Sequence, residues 1–112
     1  MRRAPFAASL SAEAARRMLA VTTTLGRHRG VPLSAIGRLV LGDAGFLRDV
    51  EIGAARGDPP NFTVDRFDRL MGGLSALWPD DLPWPSSVPR PRPAPLPPEL
   101  AATARERLGA RS

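Results

Sequence analysis

Cysteine is absent from this chain of 112 residues. Disulfides and thiolate metal sites are therefore excluded, and the single histidine, His28, cannot hold a zinc ion alone. The fold has to rest on packing, and no cofactor or metal is expected. Lysine is missing as well. All 16 basic residues are arginine, alongside abundant alanine, glycine and proline, the bias of a GC-rich coding sequence, so arginine number by itself argues little. No apolar run approaches the roughly 18 to 20 residues that a membrane crossing needs, because Arg38, Asp43 and Arg48 interrupt the most hydrophobic stretch. A soluble, cytoplasmic protein with no membrane partner is the expectation. The first residues begin like a basic targeting segment, but Glu13 and the pair Arg16 and Arg17 break any apolar core before export length, so they read as mature sequence. A glycine-rich phosphate loop and a pair of carboxylates on one face are also lacking. With no nucleophilic cysteine beside the one histidine, catalysis is not expected, and no catalytic residue is assigned.

What is present is one domain's worth of apolar residues, 43% of the chain, and a net charge of +5. The charge favours a polyanionic partner, but it is unevenly placed. Residues 1 to 30 hold six arginines against Glu13; residues 31 to 78 hold five against six acids; residues 79 to 112 hold five against four. The middle of the chain is slightly acidic.

Helical periodicity dominates the first two thirds. A helix capped by Ser9 or Ser11 and running towards Arg27 would place Leu10, Ala14, Met18, Val21 and Leu25 on one buried face. A short second helix follows Pro32 as its first residue, with Ile36, Leu39 and Val40 inward, and Gly42 stops it. Asp43 is placed to cap a third helix that buries Leu47 and Val50 and ends at Gly53, with Ala44, Gly45, Arg48 and Asp49 outward. Thr63 can cap a fourth, carrying Val64, Phe67, Leu70, Met71 and Leu74. From Pro79 to Pro98 nine of twenty residues are proline, which rules out helix and central strand and reads as an extended linker. Leu100, Ala104 and Leu108 then allow a short amphipathic helix. Trp78 and Trp84 frame the start of the proline-rich segment and are expected to fold back as a clasp, since bare indoles are costly to expose. The chain thus reads as all-α, a small four- to five-helix bundle at residues 1 to 78, a linker at 79 to 98, and a short C-terminal helix within 99 to 112.

The segment from Arg29 to Gly53, RGVPLSAIGRLVLGDAGFLRDVEIG, resembles the helix-turn-helix of the lambda-repressor-like family, which includes Cro and many small bacterial regulators. Ile36, Val40, Leu47 and Val50 fall where that family's two helices face each other. Gly37 stands where the helices cross closely, at a cost of about 1 kcal/mol against alanine. Gly30 and Val31 at the opening, Glu51, Ile52 and Gly53 at the close, and a Pro-containing loop leading to Thr63 extend the similarity from Leu25 to Leu74. The chain departs in the turn, where Leu41 and Gly42 replace the usual glycine and aliphatic residue. It departs again at Leu33, which replaces a glutamine that contacts the DNA backbone.

The resemblance implies sequence-specific binding to double-stranded DNA by a transcriptional regulator, with residues 43 to 52, from Asp43 to Ile52, in the major groove. Ala44, Gly45, Arg48 and Asp49 are the expected base contacts. Arg48 is the strongest of them, since a guanidinium can donate two bonds to guanine, and Phe46 either touches a thymine methyl or packs inward. Arg27, Arg29, Arg38 and Arg56 are expected on phosphates, with Arg2 and Arg3 as a flexible arm. Binding as a homodimer on two half-sites is expected. The rival expectation is a non-enzymatic protein-protein adaptor, such as a phage or mobile-element accessory protein docking on a larger regulator or RNA polymerase. The proline-rich tail offers a further protein contact through its extended helix.

Overall fold

The computed structural model describes residues 5 to 58 and 62 to 109, with side chains from residue 12 onward. Its described residues form five helices and no strand: α1 (Pro5–Arg29), α2 (Leu33–Leu41), α3 (Phe46–Ala55), α4 (Val64–Leu77) and α5 (Ala101–Leu108). The protein is therefore all-α, as the periodicity indicates.

Helix α1 begins ahead of the expected caps, so Ser9 and Ser11 lie inside it. Pro5 suits a first turn, where its missing N–H is not needed. Ala15, Met18, Val21 and Leu25 are buried, and the buried Thr22 returns its hydroxyl to the Met18 carbonyl at 2.7 Å. The core stripe thus uses Ala15 where Ala14 was expected; Ala14 is half-buried, and the Leu10 side chain lies outside those described. Gly30, at φ +69°, ends the helix.

Pro32 is the extended N-cap of α2 rather than its first residue, and its carbonyl accepts from Ala35 and Ile36. Ile36, Leu39 and Val40 are buried. In α3 Leu47 and Val50 are fully enclosed, but Gly45 and not Asp43 is the N-cap, so the helix starts at Phe46, and it runs past Gly53, which is buried within it, to Ala55. The Thr63 hydroxyl accepts from the Arg66 N–H at 3.1 Å and caps α4. Leu70, Met71 and Leu74 enter the core, Phe67 is half-buried, and Val64, at the first helical position, is 76% exposed instead of buried.

The proline-rich segment is extended, but it is not a linker. It lies along α4 as a strap, and its Val88 and Leu96 join the same core as the helices. Two adjacent glycines of α4 make room for it. A β-carbon on Gly72 would meet that of Ala94 at 2.6 Å, and one on Gly73 would meet Val40 Cγ1 at 2.8 Å and Leu96 Cδ2 at 3.2 Å. With the helix surface bare, the Ala94 N–H donates to the Gly72 carbonyl at 3.0 Å, and the Ser75 hydroxyl donates to the Pro91 carbonyl at 2.8 Å. Arg90 donates to the Ser75 hydroxyl and carbonyl and lies over the Trp84 ring.

The two indoles form the expected clasp, 4.7 Å apart between ring centres. Trp78 donates to the Leu82 carbonyl and Trp84 to that of Val88. Helix α5 packs on α1, α2 and α4 and completes the core with Ala104 and Leu108. Residues 79 to 109 are thus structural parts of one unit with the helices before them. Among the described residues no helix is long and apolar enough to cross a membrane.

Candidate nucleic-acid interface

Helices α2 and α3 are joined by four residues, 42 to 45, the length found between the helices of a helix-turn-helix. Three features fix this turn. Gly42 adopts φ +73°, a left-handed conformation that suits glycine, and its N–H closes on the Arg38 carbonyl at 2.9 Å. The chain then passes directly over Gly37, where a β-carbon would lie 2.7 Å from the Asp43 carbonyl oxygen and 3.7 Å from Leu47 Cδ1. The glycine is required by the turn first and by the facing helix second. Third, Asp43 Oδ1 accepts from the N–H groups of Gly45 and Phe46 at 3.0 and 3.2 Å, satisfying donors that the start of α3 leaves free.

The other carboxylate oxygen of Asp43 accepts from Arg66, at the start of α4, at 2.8 Å. Arg66, ahead of the two backbone donors, holds the Asp43 carboxyl below the usual carboxylate range. Its guanidinium also lies 5.1 Å from the centre of the Phe46 ring. Phe46 turns inward, edge-on to Phe62 at 6.1 Å, and Phe62 stacks on Phe67. Phe46 is therefore part of the support and not of the outer surface. Neither Arg66 nor Phe62 stands out in the sequence, since the partners of Arg66 lie 20 or more positions away and no periodicity links them.

The expected base contacts are brought together at one end of α3. Arg48 and Asp49 are exposed in its first turn; Ala44 and Gly45 are exposed too, but they lie in the turn and not on the helix. The phosphate candidates disperse. Arg38 is exposed on α2 close to the turn. Arg56 is the C-cap of α3, about 12 Å along the axis from Arg48. Arg27 is exposed near the end of α1, facing a groove beside Ala54 and Gly57. Arg29 is turned inward, donating to the carbonyls of Leu108 and Gly109 at the end of α5, so its donors are engaged in holding the fold. Among the described residues Arg38, Arg48 and Arg56 enter no ion pair. The outer face of α3 also carries Glu51 and the 39% exposed Ile52. No protein-family model, curated protein or solved structure matches the chain.

Proposed function

We propose that the protein binds double-stranded DNA sequence-specifically, as a transcriptional regulator that lays α3 in the major groove. The observation that carries this reading is the supported turn: Gly42, Gly37 and Asp43 fix how α3 leaves α2, while the Arg66 contact braces the same corner from behind. A rigid corner is what a recognition helix needs, because base edges are read by side chains held in register with the duplex. Arg48 supplies the direct contact in this reading, a paired donor to guanine. Ala44 and Gly45 bring the turn close to the bases, and Asp49 accepts from cytosine. Arg38 and Arg56 flank them on phosphates.

Selection of bound sequences from a random duplex library at two salt concentrations tests this. The expected result is an enriched motif whose affinity falls steeply with salt, through counterion release. Arg48→Ala should cost about 1 to 3 kcal/mol at one base position and relax the preference there, as measured by fluorescence anisotropy on the selected site. No enrichment at either salt would sink the reading. The outer face of α3 favours one rival: with Asp49, Glu51 and exposed Ile52 beside a single arginine, it suits docking on a larger regulator or on RNA polymerase, as an adaptor whose binding responds little to salt.

A further inference from the structure

Helix α1 carries a second stripe beside the one that enters the core, and two of its members, Leu19 and Ala20, pack against the edge of that core. Ala12, Arg16, Leu19, Ala20, Thr23 and Arg27 recur at i, i+4, i+7, i+8, i+11 and i+15, the spacing of a single helical face. With Ala54 and Gly57, at the far end of α3 from the turn, this stripe lines an open groove of about 680 Å³. The floor is small and apolar, so another backbone can approach closely, and half-buried Leu19 is its one large side chain. The rim is basic. Arg16 and Arg27 are both exposed, and their separation of eleven residues is three turns, about 16 Å, on the same side of the helix. Arg16 shares Glu13 with Arg17, at 2.5 and 2.8 Å, which leaves that trio one positive charge. Among the described lining residues there is no acid.

We infer that this groove docks an amphipathic helical segment of a partner protein, with its small apolar face on Leu19, Ala20 and Ala54 and acidic residues three turns apart meeting Arg16 and Arg27. Charge selects this occupant. A second copy paired about a two-fold axis would set the same basic stripe against itself, and juxtaposed like charges oppose association. A nucleic-acid backbone is held by cations and backbone N–H groups, and it gains nothing from a floor of alanine and leucine. The inference goes beyond DNA binding and withdraws Arg27 from the phosphate contacts. It leaves the turn and the start of α3, from Ala44 to Asp49, free for a duplex.

Selection from a displayed library of helical peptides against the purified full chain tests the assignment. Enriched peptides should carry aspartate or glutamate at positions eleven apart, and their amide shift perturbations should fall on Leu19, Ala20, Thr23 and Ala54. Arg27→Glu, an exposed change, should weaken them at least tenfold, and a peptide with lysine at the matching acidic position should recover binding. The proposal is overturned by any of these results: no enrichment, a footprint elsewhere, binding unchanged in both Arg27→Glu and Arg16→Glu, or a free protein that sediments as a dimer and is split by Ala54→Arg. Contacts from the chain's own first four residues to Leu19 in the peptide-free protein would overturn it equally.

Discussion

Asp43 joins two tasks in one side chain. One oxygen closes the start of α3 and the other receives Arg66 from α4. The two can be separated by substitution. Asp43→Asn keeps a capping oxygen and loses the charge-assisted bond, so it should cost little, within the 0 to ~1 kcal/mol of an exposed ion pair. Asp43→Ala loses the cap as well and should cost about 1 to 2 kcal/mol in chemical denaturation. The pH dependence has a definite sign. Because the folded-state carboxyl is depressed below its ordinary value, its stabilisation is complete above the unfolded-state value and is lost as pH falls through the folded one. Stability of the wild type should therefore decline below about pH 4 more steeply than that of Asp43→Asn; parallel curves would show that Arg66 contributes nothing through this carboxylate. Glu13, held at about 2 by Arg16 and then Arg17, acts in the same direction on α1 and is common to both proteins.

Among the elements, the strap is the one whose sequence conceals its role. Nine prolines in twenty residues correctly give an extended chain without helix, but extension alone does not distinguish a solvated spacer from a packed strap. What decides is Gly72 and Gly73 on α4, whose missing side chains open a bed for Ala94 and Leu96. As residues within a helical pattern they look only like weak helix formers. Gly72→Ala therefore sets helix propensity against packing. Propensity alone would gain up to about 1 kcal/mol, yet the added methyl meets a β-carbon and a backbone nitrogen, neither of which can rotate away. The expected outcome is net destabilisation by about 1 to 3 kcal/mol, with a change in tryptophan emission as the clasp shifts; a gain in stability would mean that the strap lifts at little cost.

Helices α2 to α4, by contrast, are readable from apolar spacing and the Thr63 cap, because those signals are local; Asp43 marks the approach to α3 but stands two residues before its N-cap, Gly45. The start of α1 and the inward turn of Arg29 are not readable. The first lacks the serine cap that would announce it, and the second is set by a partner 79 and 80 positions away. The candidate interface divides in the same manner. Exposure of Arg48 and Asp49 follows from helical phase, whereas the brace formed by Arg66 and Phe62 depends on where α4 lies.

Across the whole molecule the core is shared by all five helices and the strap, so stability should not divide at residue 78. Leu108, fully enclosed in α5, should cost about 2 to 5 kcal/mol when replaced by alanine, a loss that a loosely attached terminal helix would not show. A chain ending at Trp78 lacks Val88, Leu96, Ala104 and Leu108 and should fail to give a cooperative thermal transition by circular dichroism. A sharp transition near that of the full chain would show instead that the first four helices are self-sufficient.

The guanidinium of Arg29, seated on the carbonyls that end α5, ties the last turn of α1 to one made some eighty residues later. During synthesis, α1 to α4 leave the ribosome with the slot for Ala104 and Leu108 unfilled and Arg29 without its acceptors. The apolar lining of that slot stays open to chaperones and proteases until residues 104 to 109 have emerged. A stop within α5 would therefore release a product that quality control treats as unfinished, so its loss from the cell should track truncation of α5 rather than damage to the turn between α2 and α3.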